Sequence, residues 1–228
     1  MVPHPLSNVF WRCLNGPHQS LSTGDDKARR YQAGFSAIAA VADPEQPDLD
    51  ALATVCRPGE HFYMAAWNGA HSSEAWSIEF DGAMMAMAWE SANPPMPAGW
   101  PIQTLGTEHL EAMLELVALT APGPFGPSNL CMGEFVGHFS PEGELIAMAG
   151  ERTRAEQWHE VSCICTHPDH QGQGLARQLT FEVVRRMLQR GETPFLHAMS
   201  GNDAARRIYR QLGFREVLET PIRIIRRL

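Results

Sequence analysis

Lysine is almost absent. Of the 18 basic residues in this 228-residue chain, only Lys27 is a lysine. A Walker phosphate loop needs GK[ST], so none exists beyond position 27. Schiff-base chemistry through lysine has one candidate, inside the polar run Gly24-Asp25-Asp26-Lys27. Positive charge is scarce altogether. Against 26 acidic residues the formal net charge is −8, a poor balance for a general nucleic-acid binder, which must neutralise phosphates. The five cysteines include no CxxC pair, so neither a disulfide scaffold nor a zinc site is expected. Long apolar runs are also missing. The most apolar stretch, 33–42, is too short to span a bilayer. The start, Met1-Val2-Pro3-His4-Pro5-Leu6-Ser7-Asn8, has no basic leader or apolar core. These absences lead us to expect a cytoplasmic protein with no membrane or nucleic-acid partner. At 44% hydrophobic and 19% charged the chain reads as globular.

The two halves differ. Residues 1–100 carry 5 basic and 11 acidic residues; residues 101–228 carry 13 and 15. Between them lies Asn93-Pro94-Pro95-Met96-Pro97-Ala98-Gly99-Trp100-Pro101, which can continue neither a helix nor a central strand. The expected organisation is therefore an N-terminal α/β unit over 1–92, a Pro-rich linker over 93–100 and a second unit over 101–228. In the first half, 47–55 reads as a short helix. Segments 61–67, 76–80 and 83–89 read as strands, with Asp81-Gly82 as the turn between the last two. In the second half, strands are expected at 102–105, 134–139, 145–151, 160–166, 194–199, 215–218 and 222–225. The apolar spacing of Leu110, Met113, Leu114 and Val117 predicts one helix, and that of Leu175, Leu179, Val183, Val184, Met187 and Leu188 predicts a long helix over 173–190. A third follows over 203–212, stopped by Gly213. The closing Arg223-Ile224-Ile225-Arg226-Arg227 reads as a charge-protected edge strand. The class is mixed α+β, without repeats.

The most informative segment runs from Val161 to Ala176. A strand leads through His167-Pro168 into Gln171-Gly172-Gln173-Gly174-Leu175-Ala176 and the start of the long helix. The first amides of a helix lack internal partners and carry partial positive charge. Glycines let the backbone approach a diphosphate. A Rossmann fingerprint starting at Gly172 is spoiled by Arg177 at its third glycine and by the strands that precede it. The pattern Q/R-x-x-G-x-G/A fits, and it resembles the coenzyme A pyrophosphate loop of the GNAT superfamily of N-acetyltransferases. A ligand-free strand–helix turn could have the same composition, but a second segment argues against it. Asn202-Asp203-Ala204-Ala205-Arg206-Arg207-Ile208-Tyr209-Arg210-Gln211-Leu212-Gly213-Phe214 is similar to the superfamily's late motif N-x-x-A-x-x-x-Y-x-x-x-G-F. The order and spacing of the two motifs also match.

The resemblance covers residues 101–228. It implies a GNAT fold, a mostly antiparallel twisted sheet flanked by helices and splayed between its fourth and fifth strands. It implies acetyl-CoA as co-substrate, no metal, and direct attack of a primary amine on the thioester. Ile164, Cys165 and Thr166 would pair with the pantetheine arm. Gln171, Gly172, Gln173, Gly174, Leu175 and Ala176 would hold the pyrophosphate, and Asn202 would touch the pantetheine. Tyr209 would protonate the departing thiolate. The base is expected near the splayed strands, with Glu160 ranked before His159 and His197. Cys163 and Cys165 admit a covalent acyl-cysteine route, with buried structural thiols as the plainer reading. Arg206, Arg207 and Arg210 could meet phosphates, although a solvated helix face explains them as well.

The front half lacks a glycine-rich loop. Its layout is similar to that of glycine N-acyltransferase-like enzymes, which implies a degenerate GNAT-like copy; an unrelated cap is the alternative. One acyl-CoA site per chain is expected, and a homodimer is compatible with the reading. The acceptor amine (small amine, amino acid or protein N-terminus) is open, and its groups are expected on 121–131 and the strands at the mouth. A non-catalytic acyl-CoA sensor is the alternative to an enzyme.

Overall fold

The computed structural model describes residues 4–71, 73–91 and 101–228; the expected linker over 93–100 lies outside them. The chain runs through α1 (Val9–Leu14), β1 (Ser22–Gly24), β2 (Ala28–Tyr31), β3 (Ile38–Val41), α2 (Leu49–Thr54), β4 (His61–Ala65) and β5 (Trp76–Trp89). After 92–100 it continues with β6 (Gln103–Leu105), α3 (Leu110–Thr120), β7 (Phe135–Phe139), β8 (Leu145–Ala155) and β9 (Trp158–Thr166). It closes with α4 (Leu175–Gln189), β10 (Thr193–Met199), α5 (Asp203–Leu212) and β11 (Phe214–Arg227). Among the described residues no helix is long and apolar enough to cross a membrane.

The strands form one sheet in the order β1-β2-β3-β4-β11-β5-β10-β9-β8-β7-β6. All neighbours are antiparallel except β3/β4 and β9/β10, as the expected mixed α/β class requires. Three strand readings need correction. Asp81-Gly82 is not a turn: both residues lie inside β5, opposite Arg223 and Ile222 of β11. A partner strand equally long on one side keeps β5 extended through that dipeptide. For the same reason 215–218 and 222–225 are one strand, bulged between Glu216 and Leu218. Nor do the closing arginines guard an edge, since β11 lies between β4 and β5 and the edges are β1 and β6.

The two halves of the sequence meet in this sheet. β5, from the first half, pairs with β10 on one side and β11 on the other. The period of two along each strand then sorts side chains to two faces. Met87 and Leu196 pack with Leu175, Leu179, Val184 and Met187 of α4. Ala86 and Phe195 pack with Val9, Phe10 and Leu14 at α1. Each fully buried leucine or methionine contributes roughly 1.5–3 kcal/mol, so both helices are pinned by several such contacts.

Between β9 and β10 the sheet opens. They pair only at Trp158–Glu160 and Thr193–Phe195, then diverge. β9 also carries a bulge: Met148 pairs with Cys165 but Gly150 with Ser162, so β9 has one extra residue there. Cys163 absorbs it in a left-handed conformation, φ 53°. A bulge bends its strand and leaves the extra residue out of the ladder. This is the expected splay between fourth and fifth strands, counting from β6.

Candidate active site

The gap between β9 and β10 is the mouth of a groove of about 730 Å³. One wall is the end of β9, with Ile164, Cys165 and Thr166. The far end is the loop into α4, where Gln171, Gly172, Gly174, Leu175 and Ala176 line the groove; Gln173 is in the loop but not on that lining. Gly172 and Gly174 both have φ 78°, and a Cβ added at either would meet nothing within 4 Å. Their requirement is therefore conformational. Among the described residues no side chain caps this 15-residue helix at Gly174, so its first amides have no side-chain partner there. These uncapped amides suit a diphosphate, and the groove suits the arm attached to it. Arg177, which spoils the Rossmann pattern, is exposed on the same lining. Sequence reasoning used it only to exclude a motif. By contrast, Arg206 is bonded to Glu216, Ser200 and Asp203, and Arg210 to Glu216.

The opposite wall comes from α5. Asn202 caps that helix, its Oδ1 accepting from the Ala205 amide at 3.1 Å, and it also lines the groove. Tyr209 lines it two turns later, packed edge-on against Phe214 at 6.2 Å. Burial pushes the Tyr209 phenol up to about 12, so it stays protonated across the neutral range. Cys163 and Cys165 are buried, and burial raises their thiols to about 11 and about 12. Neither is a ready thiolate nucleophile.

The candidate bases separate clearly. His159 does not line the groove; it faces Glu192 at 3.2 Å. It belongs to a cluster in which Arg190 bonds both Glu151 and Glu192. Glu160 is 1% exposed and its carboxylate is fully engaged. Arg152 donates to both oxygens at 3.1 and 2.8 Å, the Thr153 amide donates at 3.2 Å, and His197 Nδ1 donates at 2.7 Å. Burial alone would raise its pKa, but the Arg152 charge, with His197, holds it well below the usual carboxylate range. Such a group takes up a proton poorly. An ionised carboxylate can only accept, so His197 carries a hydrogen on Nδ1, and in the neutral ring Nε2 is then the lone pair. Phe10 and Phe195 flank the ring edge-on at 5.7 and 5.4 Å.

His197 is also where two cavities meet. It lines the groove and a second chamber of about 310 Å³ on the α1 side of the sheet. That chamber is walled by Phe10, Tyr63, Phe80, Met84 and Ile222, among others, and by Pro122, Gly123 and Pro124 of the loop after α3. Part of the expected acceptor loop 121–131 is thus at the site, but Phe125 is turned into the core against Phe135. The loop is held from the first half. Asn129 Oδ1 accepts from the Ser36 amide at 2.8 Å, Ser36 Oγ donates to Pro124 O at 2.8 Å, and the Ser128 amide donates to Gly34 O at 2.8 Å. Nothing in residues 1–92 signalled Phe10, Tyr63 or Met84, because each reaches the chamber only through the sheet pairing.

Comparison with known proteins agrees with the fold. Residues 136–223 match the model of the family described as FR47-like protein. The chain is similar over 99% of its length to all of a structure from Novosphingobium aromaticivorans described as a GNAT-family acetyltransferase, with 30% identity and a TM-score of 0.87. A GCN5-related N-acetyltransferase from Kribbella flavida shares the fold at 18% identity, TM-score 0.61, covering 96% of each chain. A GCN5-related N-acetyltransferase-like protein from Streptococcus suis does so at 16% identity, TM-score 0.64, covering 96% of this chain and 92% of that one. No curated protein is a recognisable relative.

Proposed function

Because this chain belongs to the GNAT superfamily of acetyltransferases, we propose that it transfers an acetyl group from acetyl-CoA to a primary amine by direct attack. The observation that carries the reading is the meeting of two cavities at His197, one running to an uncapped helix start and the other walled in part by the first half. The coenzyme supplies an acetyl group activated as a thioester, and the residues of the chain do the rest. The α4 amides and the Gly172–Gly174 turn hold its diphosphate, with Arg177 beside them. Ile164 to Thr166 and Asn202 hold the arm.

An alkylammonium near pKa ~10 must lose a proton before it can attack. In this reading His197 Nε2 takes it, and the base role expected of Glu160 becomes a positioning role. Glu160 fixes the His197 tautomer and stabilises the imidazolium that forms. As the amine nitrogen bonds to the carbonyl carbon, charge grows on the carbonyl oxygen. A backbone amide freed by the β9 bulge at Cys163–Ile164 stabilises it. The carbon–sulfur bond then breaks and Tyr209 gives its proton to the thiolate; the second proton of the attacking nitrogen leaves as the amide forms and restores the phenol.

The test is free-thiol release from acetyl-CoA with a panel of amines, for the wild type and His197→Gln. Loss of the proton acceptor is expected to lower kcat by on the order of 10²-fold or more. Unchanged kcat would remove His197 from the mechanism. Thermal stabilisation by coenzyme A without thiol release on any amine would leave a binding module only.

A further inference from the structure

Resting on the reading of the α1-side chamber as the acceptor site, we infer that the acceptor is a free α-amino acid with an apolar side chain, its carboxylate held by Arg152. Arg152 is 9% exposed and lines the chamber. Two of its guanidinium nitrogens, Nε and Nη2, are bonded to Glu160. The third, Nη1, has no partner among the described residues, and it lies 4.0 Å from where a Cβ of Gly123 would stand. That places it against the loop bordering the chamber. Arg152 lines the chamber, and a carboxylate is the acceptor whose geometry and charge best fit a free guanidinium edge there.

The position of this edge also fits an α-amino acid. Arg152 Nη2 and His197 Nδ1 both bond Oε1 of Glu160, so the two side chains stand next to each other. The free functions of the pair, a proton acceptor at His197 Nε2 and a carboxylate receptor at Arg152 Nη1, therefore serve one small molecule. In an α-amino acid the amine and the carboxylate are joined through one carbon. Tyr63, whose hydroxyl has no hydrogen-bond partner among the described residues, lines the same space.

The remaining lining is apolar, notably Phe10, Phe80, Met84 and Ile224. Among the described residues no acidic side chain is on it, so a second ammonium, as in a diamine, has no counter-charge there. The chamber holds about ten waters at ~30 Å³ each, the scale of one amino acid. A peptide N-terminus would put a neutral amide against Arg152 Nη1, where a charge-assisted pair is available to a free amino acid.

The experiment uses the full chain, acetyl-CoA and thiol release with three matched acceptors: L-phenylalanine, its amide and phenethylamine. Loss of one charge-assisted hydrogen-bonding partner predicts a kcat/KM about 10–100-fold lower for the amide and the amine. Leucine and methionine should be used, and glutamate and lysine should be poor. In Arg152→Lys the charge beside Glu160 remains but the free edge is gone, so the ratio between phenylalanine and phenethylamine should narrow to within a few-fold. Should that variant not fold, the wild-type series alone decides. Turnover with equal kcat/KM across the three acceptors, or a preference for glutamate or lysine, overturns this inference and leaves acetyl transfer standing. Coenzyme A binding with no turnover on any acceptor overturns the transferase reading itself, and this inference with it.

Discussion

The strongest energetic statement in the structure concerns Glu160. Replacing it by glutamine keeps the volume and removes the charge. Its carboxylate has four donor contacts, two from Arg152 and one each from the Thr153 amide and His197. The amide of glutamine can accept at one atom only, and the Arg152 guanidinium is left buried without a counter-ion. Breaking a buried pair in this way costs about 3–5 kcal/mol, a large share of the ~5–15 kcal/mol by which a domain is stable. Urea unfolding near neutral pH should show that loss for Glu160→Gln. The double variant Glu160→Gln/Arg152→Gln should lose less than the sum of the two single variants, because it leaves no unpaired charge. The pH dependence has a definite sign. The folded-state pKa of Glu160 lies below its unfolded value, so its contribution is complete above the ordinary glutamate range, ~4.3. It is lost as pH falls below that range toward the folded value. The stability gap between wild type and variant should thus shrink by about 1.4 kcal/mol per pH unit on acidification. A neutral-pH loss below about 1 kcal/mol, or a gap constant down to about pH 3, would refute the reasoning.

Gly174→Ala forces a Cβ into φ 78° at roughly 1–2 kcal/mol of strain; calorimetry should show coenzyme A affinity reduced about 10-fold, with kcat little changed. Tyr209→Phe should lower kcat by on the order of 10²-fold. Because the phenol is pushed up to about 12, the plateau should drop without displacing any alkaline limb below about pH 11. Cys165→Ala should keep kcat within about threefold, and intact-mass measurement during turnover should show no acylated chain, since the thiol is held protonated by burial. Asn129→Ala removes the side chain that joins Ser36 and Gly126. It should raise KM for the amine several-fold while leaving KM for acetyl-CoA unchanged in steady-state kinetics.

What could be read from the chain follows from how local each feature is. α4 and α5 carry their own signals: apolar spacing, the Asn202 cap and the Gly213 stop all lie within the element. β3 carries no such signal. It is four residues long and buried on both faces, so it shows neither alternation nor length. β5 misled for a related reason. Asp81-Gly82 has the composition of a hairpin turn, and only the presence of β11 alongside keeps it extended. The edge-strand reading of β11 failed because its second neighbour, β4, comes from a part of the chain far away in sequence.

The same distinction divides the candidate site. A diphosphate cradle is built from consecutive backbone amides, so it must be written contiguously, and the one proposed at 171–176 is. The acceptor side has no such constraint. Phe10, Tyr63, Met84, Arg152 and His197 come from α1, β4, β5, β8 and β10, and no spacing rule links them. Glu160 shows the consequence most sharply. Its place beside the splayed strands ranked it first as the base. In the folded chain α1 covers its face of the sheet, and Arg152, eight residues earlier, folds back across the hairpin onto it. Covering the carboxylate raises the cost of its charge, pairing it with Arg152 reverses that cost, and the result is a fixed anion that orients its neighbour. In the proposed mechanism the first half of the chain therefore acts without supplying a reacting group. It places Phe10 against the His197 ring, anchors the 121–131 loop through Ser36 and Gly34, and supplies Tyr63 and Met84 to the chamber in which the amine would sit.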